Sequence, residues 1–108
     1  MDFKQYSEIA LSTKNYPQEM PVVYPALGLA GECGEAVDKI KKVIRDHGGV
    51  FSETKSLEII KELGDVLWYV NAIAVDLGYS LEDVARINAE KIRSRKLRGT
   101  LQGEGDER

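Results

Sequence analysis

At 108 residues the chain is long enough for one domain with one core, and 43% hydrophobic with 31% charged residues is the balance of a folded protein rather than a disordered one. A net charge of −3 without long blocks of like charge offers no nucleic-acid arm, and no apolar run is long enough to span a bilayer. The single cysteine, Cys33, and single histidine, His47, exclude an internal disulfide framework and a Cys/His zinc site within one chain. Nothing resembles a signal peptide, so the expected location is cytoplasmic.

Asp2 caps a first predicted helix, with Gln5 as its capping-box partner. Phe3, Tyr6, Ile9, Ala10 and Thr13 share one side, and the helix is expected to end near Lys14. Pro17, Pro21 and Pro25 punctuate an irregular connector. A second helix is expected from about Pro25, with Leu29, Cys33, Ala36, Val37, Ile40, Val43 and Ile44 as its apolar stripe. Cys33 reads as inert packing on that stripe. Gly28, Gly31 and Gly34 each cost about 0.8–1 kcal/mol in a helix relative to Ala. Glycines on a helix flank imply that something approaches the backbone closely. His47-Gly48-Gly49 is the expected stop.

Ser52 caps a third helix, predicted to reach Leu77 and stop at Gly78. Leu63, Val66, Leu67, Val70, Ala74 and Leu77 cover one side. Leu57, Trp68 and Val75 cover another, read as the side turned to a partner subunit. One narrow line is acidic: Glu58, Glu62, Asp65 and Asp76, with Tyr69 among them. A helix apolar nearly all round is buried, so part of this line is expected inside, where carboxylates need cations or partners. Ser80 and Asp83 open a fourth helix. Its inward stripe, Leu81, Val84, Ala85 and Ile92, carries Asn88 and Arg95 at its centre and Lys91 at its edge. Residues 99–108 are expected to be a polar, glycine-rich tail that does not pack, after a helical domain spanning 1–98.

Two pairs stand out: Glu32 with Glu35, and Glu62 with Asp65. The i, i+3 spacing puts each pair on one helix face, about 5–6 Å apart. Four facing carboxylates repel one another unless they share protons or bind a divalent cation, and oxygen ligands suit Mg²⁺, Mn²⁺ or Ca²⁺. The inward Asn88, Lys91 and Arg95 bring donors suited to phosphate oxygens. Together these groups suit phosphoanhydride hydrolysis. The competing readings are a binding module without turnover and a structural bundle whose acids are solvated.

Gly-Leu-Ala-Gly-Glu-Cys-Gly-Glu followed by Glu-Leu-Gly-Asp-Val-Leu-Trp-Tyr resembles the MazG-like nucleoside triphosphate pyrophosphohydrolases. Their pattern is Glu-x-x-Glu, a spacer, then Glu-x-x-Asp. Ile87-Asn88-Ala89-Glu90-Lys91 with Arg95 resembles the family's fourth-helix motif, and the ending from Arg98 resembles short bacterial and phage members. The resemblance implies an all-α four-helix bundle completed by oligomerisation as a homodimer or homotetramer. It implies Mg²⁺-dependent hydrolysis of a (d)NTP to the monophosphate and pyrophosphate, with Mn²⁺ as a substitute. Glu32, Glu35, Glu62 and Asp65 would hold metal. Asn88, Lys91 and Arg95 would hold phosphates, and Tyr69 would line the nucleotide pocket. Gly31 precedes Glu32 where some relatives carry a second glutamate. That leaves the general base open between a metal-holding carboxylate and a metal-bound hydroxide. Neither a membrane nor a nucleic-acid polymer is an expected partner.

Overall fold

The structure is a computed structural model describing residues 1–108. It is all-helical: α1 (Phe3–Leu11), α2 (Val23–Asp46), α3 (Glu53–Asp76) and α4 (Leu81–Arg98), with no strand. The predicted caps start three of the helices. Asp2 and Gln5 exchange hydrogen bonds at α1, the Ser52 side chain accepts from Lys55 N at α3, and Ser80 and Asp83 form the box at α4.

α1 ends at Leu11, short of the expected Lys14. The Ser12 and Thr13 hydroxyls donate to the carbonyls of Ile9 and Ala10 at 2.6 and 2.7 Å, competing with further helix. The Trp68 indole N–H also reaches this end, donating to Ala10 O at 3.2 Å and Thr13 Oγ1 at 3.0 Å. Trp68 thus docks α1 onto α3.

α2 begins at Val23, two residues before the expected start, because its entry is fixed from outside. Asp76, at the far end of α3, accepts hydrogen bonds from Val22 N at 2.9 Å, Tyr16 OH at 2.7 Å and Lys14 Nζ at 3.1 Å. Val22 has φ +66°, an outlier for a β-branched residue, and no side-chain cap of its own. The Asp76 carboxylate supplies the negative charge that a helix N-terminus favours. Tyr16 stacks on Tyr24 with ring centroids 5.3 Å apart. The proline-rich connector is therefore held at both ends.

α2 and α3 form the dominant hairpin, turning through Gly48 and Gly49, whose φ values of +60° and +74° suit glycine. Ala36 and Val43 of α2 and Ala72 and Ala74 of α3 are buried. Gly28, in the second turn of α2, has a reason to be glycine: a Cβ there would overlap the Tyr69 ring. Gly31 and Gly34 face open space, and Cys33 is exposed rather than packed. α4 packs on α1 and α3 and not on α2.

The core is thin. Only 10 of 108 residues are buried, while Leu57, Ile60 and Leu63 of α3 and Val37 and Ile44 of α2 stay exposed. The radius of gyration is 16.7 Å. A compact domain of this length would have about 13 Å.

Candidate metal and nucleotide site

The hairpin brings the two acidic pairs face to face. Glu32, Glu35 and Glu62 each offer a carboxylate oxygen, and these oxygens lie within 4.8 Å of one another. Asp65 stands outside that trio. It shares with Glu32 a cleft of about 310 Å³, lined also by Trp68, Tyr69, Thr13 and Asn15. The opposite side of the seam, beside Glu35 and Glu62, is lined by Gly31, Gly34, Lys39 and Lys42.

The electrostatics of the seam suit a cation. Glu32 Oε2 and Glu62 Oε2 are buried without a hydrogen-bond partner. Burial pushes the Glu32 pKa up, and the charges of Glu35, Asp65 and Glu62 push it further. The one cation paired with the seam is Lys39, 3.5 Å from Glu62 Oε1. Orphaned buried carboxylate oxygens are costly, and converging carboxylates are the ligands of hard divalent ions. The residues present therefore fit a divalent metal. Tyr69 stands beside them, its ring edge-on to Trp68 at 4.9 Å. Burial and the nearby Glu32 charge raise its pKa.

The fourth-helix residues form a second group. Arg95 is buried as expected and Lys91 is half-buried, but Asn88 is exposed, since α4 leaves much of its stripe in solvent. No hydrogen bond or ion pair joins these three to the carboxylates of the seam. Lys91 Nζ pairs with Asp106 Oδ1 at 3.2 Å. Arg95 Nη2 donates to Asp106 O at 2.7 Å and approaches Asp106 Oδ1 at 3.4 Å. The tail, expected not to pack, thus folds back onto α4.

Sequence reasoning placed Thr13 on the packed side of α1 rather than at the cleft, and it missed Asn15, because an irregular connector carries no periodic signal. It treated Trp68 as core or interface, although its place beside Tyr69 was a usable hint. Asp106 lies in the ending whose resemblance to short family members marked it, but its pairing with Lys91 and Arg95 had no sequence signal short of the folded tail.

The fold and the site define an all-helical protein with a carboxylate-rich seam between two antiparallel helices and an aromatic cleft beside it. Residues 25–99 match the family model described as MazG nucleotide pyrophosphohydrolase domain, and the chain belongs to that family. The match takes in all four seam carboxylates and the whole of α4. The chain is also similar to the Gene 37 protein of Mycobacterium phage L5, at 45% identity over 85 residues, covering 79% of this chain and 75% of the phage protein. No solved structure gives a significant match. No helix is long and apolar enough to cross a membrane.

Proposed function

We propose that the protein is a Mg²⁺-dependent pyrophosphohydrolase, with Mn²⁺ as a substitute, that cleaves a (d)NTP to the (d)NMP and pyrophosphate. The observation that carries this reading is the convergence of Glu32, Glu35 and Glu62 with two buried, unpartnered oxygens beside an aromatic cleft. Glu32, Glu35, Glu62 and Asp65 are the residues that would hold the metal. When bound, the metal would neutralise phosphate charge and lower the pKa of the attacking water. Tyr69 lines the nucleotide cleft, where aromatic faces suit a base. Asn88, Lys91 and Arg95 are the groups assigned to the phosphates, with Arg95 offering a planar fork of donors.

The same reading includes a homodimer or homotetramer. Apolar side chains along the outer faces of α2 and α3 stay in solvent in the single chain, and a chain this short buries limited surface alone. Sedimentation at micromolar concentration should show more than one copy per particle; a monomer would remove this part of the reading.

Catalysis is tested by pyrophosphate release from a panel of canonical and oxidised nucleotides, with and without Mg²⁺. Release that requires the metal is the expected result. No release from any nucleotide despite Mg²⁺ binding would favour the alternative, a non-catalytic nucleotide- or metal-binding regulatory module.

A further inference from the structure

The tail that follows α4 is a built structure. Gly99, Gly103 and Gly105 have φ of +69°, +124° and +80°, backbone that side chains rarely adopt. The loop they allow closes on itself. Arg108 donates to Gly105 O at 2.6 Å and Leu101 O at 3.0 Å. The Arg108 carbonyl accepts from Arg98 Nη1 at 2.6 Å and Thr100 Oγ1 at 3.1 Å. None of these bonds uses the Asp106 carboxylate. That carboxylate instead sits between Lys91 and Arg95.

We propose that Asp106 is a built-in occupant of the phosphate seat on α4, one that a polyphosphate must displace to bind. The inference rests on the assignment of Lys91 and Arg95 to the phosphates made above. Two observations carry it. The Arg95 side chain is only 9% exposed, and its buried Nε has no partner, so a desolvated cation keeps a donor to spare. The Asp106 side chain is 80% exposed, so the acceptor on that cation is held from one side and open to water on the other.

A pair so exposed is weak, and a phosphate chain offers more charge and more acceptor oxygens than one carboxylate. The bonds of Arg95 and Arg108 to backbone carbonyls hold the loop, so the carboxylate can leave while the loop stays folded. A tethered carboxylate nevertheless competes at an effective concentration on the order of millimolar. It weakens every anion that needs the seat by one factor. Lys91 and Arg95 draw the Asp106 pKa down, so it stays ionised and competing across the neutral range.

The test is calorimetric titration of the full chain with inorganic pyrophosphate in metal-free buffer. Asp106→Asn should bind several-fold more tightly than the unaltered protein. Glu107→Gln, which removes a neighbouring charge that makes no ion pair, should bind unchanged. Lys91→Met should erase the difference. In turnover, the KM for the nucleotide should fall in Asp106→Asn by the same factor, whatever happens to kcat. Unchanged or weaker pyrophosphate binding by Asp106→Asn overturns the proposal, as does equal tightening by Glu107→Gln. Tighter binding by Asp106→Asn in a protein that hydrolyses no nucleotide would sink the catalytic reading and leave the occupied seat standing. Metal-dependent hydrolysis with an unmoved affinity would do the reverse.

Discussion

Two acidic sites lie along the α2–α3 hairpin, and they are opposites. At one end Asp76, its side chain 4% exposed, accepts from a backbone N–H, a phenol and an ammonium. In the seam Glu62, 15% exposed, meets a single lysine at 3.5 Å and leaves one buried oxygen with nothing. Glu32 leaves another. Asp76 and Glu62 come from the same acidic line of α3, and burial alone does not separate them. Satisfaction does. A carboxylate whose lone pairs are filled by its own chain is structural, whereas one left orphaned has the capacity for a cation.

The sharpest way to break this comparison is to neutralise Glu62 in the seam and Asp76 at the other site. Glu62→Gln should lower pyrophosphate release by on the order of 100-fold or more. Mg²⁺ should raise the melting temperature of the unaltered protein, and this variant should abolish that rise. In metal-free buffer the same variant should melt higher, because repulsion in the seam is relieved. A lower metal-free melting temperature would make Glu62 a structural acid like Asp76.

Asp76→Asn should do the reverse. It keeps the shape but weakens three hydrogen bonds to a buried charge, at a cost of about 2 kcal/mol, read by urea denaturation. Its metal response should persist. Loss of that response with unchanged stability would erase the distinction.

The pH dependence separates the two sites with a smaller signal. Burial raises the Asp76 pKa, but the bonds from Val22, Tyr16 and Lys14 outweigh it and hold the group below its ordinary value. Its contribution is therefore complete above the unfolded pKa and is lost as pH falls toward the lower folded one. Glu32 is shifted upward, so the folded protein binds its proton more readily than the unfolded chain. Metal-free stability should consequently rise as pH drops from neutral toward the ordinary glutamate range, before Asp76 is lost at still lower pH. Saturating Mg²⁺ should flatten the first limb and leave the second. Melting curves from pH 7 down to pH 3 check both limbs, and a monotonic decline without metal would contradict the assignment of Glu32.

Much of the fold is legible in the sequence because helices announce themselves locally. Asp2, Ser52, Ser80 and Gly99 mark boundaries through bonds within four residues, and the structure uses each of them. The Glu-x-x-Glu and Glu-x-x-Asp spacings place carboxylates on facing sides for the same local reason. The rest depends on partners distant in sequence. Asp76 finds Lys14 and Tyr16 some 60 residues away, and Trp68 finds Ala10. Helical periodicity has no term for such contacts. The tail misled for a related cause: its glycines look like disorder in composition, yet they permit the turns that return Asp106 to Lys91.

Gly28 lies one turn before Glu32, and Tyr69 lies one turn after Asp65. The ring resting against bare backbone acts as a gauge block between the two helices. It sets their separation at the level of the seam, and with it the gap between opposing carboxylates. Mg²⁺ binds oxygens at about 2.0–2.1 Å and Ca²⁺ at about 2.3–2.6 Å, so a shift of a few tenths of an ångström changes which ion is suited. In this hairpin, the tolerance on that dimension is held by the absence of a single methyl group.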